Sequence, residues 1–348
     1  MARNPDEVSL SIGERDWRWW SSIELTRAID EYSTVRVTAP FEPGRAEFRE
    51  TFRPFTFRPM RVAIGGATHV TGTMVDVFPR LGDAECTVEA SGYALPGVLG
   101  DCHEPASAVP LEFRDVGLRA IALALIAPFG LELAACKETE RFDKVALEPD
   151  GDIQGFLVDL AKQRGLVVND TTEGKLRFWS SVATGSPVAS FEEGERPLVR
   201  VEPSFSPQQF FSEITAYGKA RHGSTGPKYS VRNTWLADVV RPHAFRARDT
   251  EPGGAPAAAK AKLGRMFGQM ASFTLPDLPT WRDPQGDLWR ENSTIRVKAP
   301  GAMIYDWTEL LIRRVVLRRD EEDKVASLEC CLPGAFSGEL PDALPWAD

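Results

Sequence analysis

The hydrophobic period changes twice along this chain, and an architecture built from one kind of element cannot satisfy both changes. Residues 7–102 carry short alternating or β-branched runs, residues from about 115 to 165 carry apolar side chains at i, i+3, i+4 spacing, and residues from about 197 onward return to strand character. Period 2 buries one face of a strand and period 3.6 one face of a helix. The pattern therefore predicts an α+β, mainly β chain, with a small α/β unit set between two β-rich halves. At 348 residues the chain has room for two or three domains with cores of their own.

In the first half, strands are expected at 22–29, 34–38, 48–57, 60–64, 69–77 and 84–91. Ala39-Pro40, Pro43-Gly44, Gly65-Gly66 and Leu81-Gly82-Asp83 separate them at the spacing of an antiparallel barrel or sandwich. Pro54 and Pro59 make 48–57 an edge or bulged strand, because proline donates nothing to a ladder. In the middle, Asp115 is expected to cap a helix burying Leu118, Ile121, Ala122, Leu125 and Ile126 and stopped by Pro128, with a strand at 131–135. A second helix begins near Asp152 and buries Ile153, Phe156, Leu157, Leu160 and Ala161. It keeps Asp159, Lys162 and Arg164 on its surface and ends at Gly165. Strands at 166–169 and 175–179 then flank a Thr172-Glu173-Gly174 turn.

The last half is expected to hold strands at 198–201, 213–219, 229–235, 271–275, 294–298, 309–319 and 324–332. A loop is expected at 223–228, a helix at 255–270 after the Glu251-Pro252-Gly253-Gly254 breaker, and an extended tail from 333. The two β halves hold similar numbers of strands, as two copies of one barrel would. The predicted division is a first β-barrel domain at 1–104, a small α/β domain at 105–185, a second β-barrel domain with a helical insertion at 186–335, and a C-terminal tail at 336–348.

Charge and composition exclude several functions. Fifty acidic against 41 basic side chains leave a net charge of −9, the wrong sign for a protein that wraps nucleic acid. Five cysteines form an odd set, read as reduced thiols, and the adjacent Cys330 and Cys331 are poorly placed to pair with each other. Cys102 beside His103 is the one soft-ligand neighbour pair, but adjacent strand residues face opposite ways, and the four histidines (His69, His103, His222, His243) are scattered, so no metal is expected. No apolar run follows the charges of Met1 to Glu7, so a secretory signal is not expected. The apolar stretch 120–135 is broken by Pro128, Gly130 and Glu132 and falls short of the roughly 20 residues that span a bilayer, so no membrane insertion is expected.

The candidate sites have ordinary structural explanations. Glu192, Glu193 and Glu195, and the run Asp320 to Asp323, are carboxylates in predicted turns, without the apolar pocket that raises a general acid's pKa. No GxSxG elbow is present, and Gly65-Gly66 lies between strands without the ending of a phosphate loop. Lys260, Lys262 and Arg265, and Arg313, Arg314, Arg318 and Arg319, are read as solvated cations balanced by neighbouring acids. Trp17, Trp19 and Trp20 cluster at the start, and Trp281 and Trp289 bracket a polar loop. These are core or contact residues first and a sugar platform second.

Several blocks in order carry a family resemblance. They are residues 22–30 with Val35-Arg36-Val37-Thr38; Val70 to Asp76; Ala90-Ser91-Gly92-Tyr93 leading to Leu99-Gly100-Asp101-Cys102; Ala127 to Leu131; Leu160 to Leu166; Trp281-Arg282-Asp283 with Gly286 to Trp289 and Asn292; and Leu332 to Phe336. In these the chain resembles the baseplate hub proteins of Mu-like contractile-tailed phages, in the late-control tail protein and spike-hub superfamily. It departs from them in its tryptophan-rich start, the 53–59 segment and the Ala-rich helix at 255–270.

The resemblance implies a virion structural protein. It would form a ring-shaped homotrimer whose paired β-barrels give pseudo-six-fold symmetry, joining a hexameric tail tube to a trimeric central spike and leaving a channel for DNA passage. The implied partners are other copies of the chain, the tube, the spike and other baseplate proteins, with assembly in the host cytoplasm. No catalytic residue, cofactor, metal or stable sequence-specific nucleic-acid contact is implied. Two other readings stay open on the residues alone: a tail-tip cell-wall hydrolase using two carboxylates, and a glycan-binding module using Trp281 and Trp289.

Overall fold

A computed structural model describes residues 4–82, 86–105, 112–148, 151–181, 185–198, 200–218, 226, 228–247, 254–338, 340–341 and 343–347. The first half forms β1 (Val8–Ile12), β2 (Arg15–Trp17), β3 (Ser22–Ala28), β4 (Thr34–Pro40), α1 (Ala46–Thr51), β5 (Pro59–Ile64), β6 (Ala67–Leu81) and β7 (Cys86–Ala94). The middle forms α2 (Val98–Asp101), β8 (Glu112–Val116), α3 (Leu118–Ile126), β9 (Leu133–Cys136), β10 (Phe142–Ala146), α4 (Ile153–Gln163), β11 (Leu166–Asp170) and β12 (Leu176–Ser180). The last half forms β13 (Ser190–Glu192), β14 (Glu202–Phe205), β15 (Glu213–Tyr217), β16 (Lys228–Arg232), β17 (Pro242–Arg246), α5 (Gly254–Met270), β18 (Ala271–Leu278), β19 (Thr294–Ala299), β20 (Ile304–Arg319) and β21 (Lys324–Cys331).

The two β halves share one largely antiparallel sheet, ordered β14-β18-β21-β20-β3-β4-β7-β6-β5-β1-β2, with β19 also on β20 and β13 on β19. The join is β20. Its first part pairs with β19 from Ile304 to Leu311, and its second part with β3, from Arg314 opposite Ala28 to Arg319 opposite Ile23. One apolar core runs through both halves, from Leu10, Trp17 and Ile23 to Phe273, Trp281, Leu317 and Leu328. The middle unit has its own core around Leu118, Leu125, Phe156, Leu160 and Phe178, into which Tyr32 reaches from the β3–β4 turn. A small sheet, β16-β15-β17, lies on the alanine face of α5, where Ala216 and Ala247 meet Ala255, Ala258 and Ala259.

Local signals account for most elements. The Asp152 carboxylate accepts the Gly155 N–H and caps α4, whose five expected apolar residues are all buried. Gly165, at φ 65°, turns the chain out of that helix.

Five expectations need correction. Residues 48–57 are not a strand: they contain the end of α1 and an irregular connector. Phe48 and Phe52, four apart, share one helix face and pack edge-on against buried Trp17 at 4.8 and 5.0 Å, so tertiary packing overrides their β preference. Asp115 does not cap α3. It sits in β8 at φ 50° with its carboxylate 3.0 Å from Arg141, and Gly117 opens the helix without a side-chain cap. The strand expected at 198–201 is found at Glu202–Phe205, with Val199 outside the described residues, and the strand after Lys228 stops at Arg232 because Asn233 caps a short turn by accepting the Trp235 N–H. The C-terminal tail is not simply extended: Leu344 is buried, and Trp346 packs edge-on against Phe205 at 4.8 Å.

His222 and most of the 223–228 loop lie outside the described residues. The alternation also left out β1 and β2, whose residues Leu10, Ile12 and Trp17 enter the core.

Candidate functional site

At the meeting point of the three segments lies a buried charge cluster. Arg27 lies on the inward face of β3, in line with Ile23 and Leu25. Its guanidinium donates to both oxygens of Glu291, through Nε and Nη2 at 3.3 Å each. It also donates to the backbone carbonyls of His69 at 3.2 Å and Asp170 at 3.0 Å. Glu291 belongs to the last half and Asp170 to β11, so one side chain ties together all three parts of the chain. Asn169 donates to Glu291 at 2.8 Å, Arg177 donates to Asn169 at 3.0 Å, and the Asp170 carboxylate accepts both the Ser33 N–H and the Ser33 hydroxyl.

Burial opposes the charge on Arg27, but Glu291 and Asp170 outweigh it and raise its pKa. Burial raises the Asp170 pKa despite the neighbouring Arg27. His69, also buried here, is pushed down to about 3 by burial and by the cations Arg27 and Arg290. Each charge is matched and hydrogen-bonded, as a buried ion pair requires. This is the chemistry of a structural lock.

Two further carboxylates staple the segments. Asp30 accepts from Arg265 of α5 and from the Val168 N–H. Asp6 accepts from Arg282 at 2.7 Å and from Lys324. Burial raises the Asp6 pKa, but the hydrogen bonds from Lys324 and Arg282 outweigh it and hold the carboxyl below its ordinary value.

The residues singled out in the sequence are scattered. Glu192 pairs with Lys298 at 3.4 Å, and Glu193 accepts the Gly301 N–H at 2.8 Å. Asp320 accepts the N–H groups of Asp323 and Glu322, which lower its pKa and close the β20–β21 turn. Glu192, Glu193 and Asp320 are thus engaged by local partners.

The basic residues are balanced by different acids from those expected. Arg313 and Arg314 pair with Glu329, Arg314 also with Glu31 at 2.6 Å, and Arg319 donates to the Asp6 carbonyl. Arg265 is committed to Asp30. Gly65 and Gly66 form a turn at φ 60° and 89°, and a Cβ on Gly65 would meet the Pro5 carbonyl oxygen at 2.4 Å.

Trp281 and Trp289 overturn the sugar-platform reading. Both are buried, and their indole N–H groups donate to Val325 and Thr280 carbonyls at 2.8 and 3.0 Å, so neither ring has a face open to stack on a glycan. Cys102 and His103 lie at the end of α2, not in a strand, and both His103 ring nitrogens meet backbone carbonyls at 3.2 Å. Cys330 and Cys331 are buried thiols, with burial pushing Cys331 up to about 12. Among the described residues no group of three or more His, Cys, Asp or Glu forms a metal cage, and no helix is long and apolar enough to cross a membrane.

Exposed large apolar side chains occur in both β halves. Phe55, Phe57, Phe78 and Leu81 belong to the first half, and Phe205, Met303, Tyr305 and Trp307 to the last.

Known proteins give this geometry a context. Residues 96–180 match the family model of the baseplate hub protein gp44-like second domain. No curated protein sequence matches the chain. The fold is similar to that of a 43 kDa tail protein of prophage MuSo2 from Shewanella oneidensis, with a TM-score of 0.77 and 23% identity over 95% of this chain and 99% of that one. It is equally similar to a tail protein from Neisseria meningitidis, with a TM-score of 0.77 and 16% identity over 95% and 98%. An E. coli type VI secretion system component, itself described as similar to T4 tail proteins gp27 and gp5, matches with a TM-score of 0.55 and 11% identity over 97% and 80%. The middle unit thus matches the second domain of the gp44-like baseplate hub proteins, and the chain as a whole shares its fold over nearly its whole length with prophage tail proteins.

Proposed function

We propose that this protein is the structural hub of a contractile phage-tail baseplate, without a catalytic role. It would act as a homotrimer whose two β halves per chain, each forming a barrel, alternate around a ring of pseudo-six-fold symmetry. The ring would join a hexameric tail tube to a trimeric central spike and leave a channel for DNA. The observation that carries this reading is the match of residues 96–180 to the hub family's second domain, within a chain whose remaining parts have the tail-protein fold.

The physical features support it. The three segments are locked by buried charge pairs into one body, as a load-transmitting adaptor needs, and the shared sheet makes the two β halves one continuous element. A net charge of −9 suits a passage in which DNA must slide without being held. The domain division at 1–104, 105–185, 186–335 and 336–348, and assembly in the host cytoplasm, belong to the same proposal.

Light scattering over a concentration series tests it. A species of three 38.4 kDa chains, about 115 kDa, is expected. A monomer at every concentration, alone and after co-expression with a cognate spike, would overturn the ring.

A further inference from the structure

A cleft of about 610 Å³ lies between α4 and α5, lined also by the last residues of β10 and β17. On α5 its wall is one stripe, Ala258, Lys262, Arg265 and Gln269, at the spacing that puts side chains on a single helix face. Five cations line the cleft, Lys144, Lys162, Arg246, Lys262 and Arg265, against two acids, Glu148 and Asp159. On a chain of net charge −9 this is a locally positive place. Two of the cations are matched, Lys144 by Glu112 and Arg265 by Asp30. Lys162, Arg246 and Lys262 form no ion pair among the described residues.

Lys162 is half-buried. Burial, and after it Arg265, lower its pKa, with Lys262 adding to them and Asp30 and Asp159 opposing. His243, in the same wall, is lowered by burial and by Lys262. An anion entering here meets cations that have already lost part of their water, which strengthens each contact. The wall also holds two buried polar atoms without hydrogen-bond partners, Gln163 Oε1 and Arg265 Nε. Gln163 is only 7% exposed, and an acceptor left unmet at that depth is destabilising until a donor reaches it.

We infer that this cleft receives an acidic peptide segment of a partner protein, whose carboxylates meet Lys162, Arg246 and Lys262 and whose backbone meets Gln163 and Arg265. A peptide group brings one donor, for Gln163 Oε1, and one acceptor, for Arg265 Nε, as either side chain turns toward the cleft. A phosphate backbone brings acceptors only. It also carries a charge at every unit and cannot avoid Glu148 and Asp159, whereas a peptide can space its carboxylates. Phe245, Ala247, Ala258 and Ala261 add an apolar floor for the side chains between those carboxylates. The inference goes beyond the hub reading and needs neither the ring nor the spike.

The test titrates the full chain against a fluorescein-labelled peptide, acetyl-Glu-Leu-Glu-Glu-Leu-Glu, and its glutamine counterpart, followed by fluorescence anisotropy. The acidic peptide should bind saturably, more weakly as salt rises, and about tenfold more tightly than the glutamine peptide. Lys162→Gln/Lys262→Gln should lose about tenfold in affinity with the thermal melt unchanged. Lys260→Gln, on the same helix but outside the cleft, should bind as the wild type does. Gln163→Leu should weaken binding at every salt concentration, as loss of a backbone contact does. No saturable binding, or wild-type affinity in the double variant or in Gln163→Leu, would overturn the proposal. Tighter binding of a labelled oligothymidylate than of the acidic peptide would overturn it in favour of a phosphate ligand. Loss of wild-type self-association in the double variant, with no peptide bound by either protein, would overturn it in favour of a second copy of the chain.

Discussion

Arg27 and Glu291 stand 264 positions apart in sequence, and they meet through two hydrogen bonds of 3.3 Å in a region closed to water. The pair joins the first strand of the sheet's central join to a loop of the last half, and Asp170 and Asn169 bring the middle unit into the same contact.

Breaking this pair should be costly. Glu291→Gln leaves Arg27 and Arg177 short of one counter-charge, and a loss of about 3–5 kcal/mol in unfolding free energy is expected. Arg27→Met/Glu291→Gln should cost less than the two single changes summed, with a coupling of about 1–3 kcal/mol in a denaturant double-mutant cycle. Additive losses would show that the two side chains do not act as a pair.

His69 should make stability pH-dependent. Its folded pKa of about 3 lies below the ordinary 6.5, so the fold favours the neutral ring. Its stabilising contribution is complete above pH 6.5 and falls as the pH drops toward 3, by up to about 1.4 kcal/mol per unit. The His69→Gln variant should show a shallower decline than the wild type across that window in paired urea titrations. Parallel curves would refute the assignment.

Asp6 has the depressed carboxylate pattern, so its contribution is present above pH 3.8 and is lost as the pH falls through its lower folded value. The Asp6→Asn variant should release the N-terminal segment at neutral pH, seen as faster amide exchange in β1 than in the wild type. Unchanged exchange would mean that β1 is held by its pairing with β5 alone.

Trp289→Ala should cost about 3–5 kcal/mol by emptying a core site. Soluble glycans should not shift the melting temperature of the wild type, and a saturable shift would restore the glycan-binding reading.

Close backbone approach fixes the β6–β7 pairing. A Cβ on Gly72 would lie 2.0 Å from the Tyr93 carbonyl oxygen, whereas one on Gly44 meets nothing within 4 Å. Gly72→Ala should destabilise by about 1–3 kcal/mol or more, and Gly44→Ala should be near neutral in the same thermal melt.

The sequence by itself determined the elements whose signals are local. Alternation at 22–29 and 34–38, the Asp152 cap, Gly165 and the Thr172-Glu173-Gly174 turn each need only their neighbours, and each appears where expected. The alternation of β3 even puts Arg27 on the same face as Ile23 and Leu25, and an arginine on a buried face demands a carboxylate. What it could not supply was which one, because Glu291 lies across the fold. Only the tertiary structure decided that Phe48 and Phe52 pack on Trp17 as a helix, that Trp281 and Trp289 are core and not a platform, and that β20 joins the two halves. The reason is the same in each case: these outcomes are set by partners more than 25 residues distant, and local propensity yields when long-range burial and ion pairing offer more free energy.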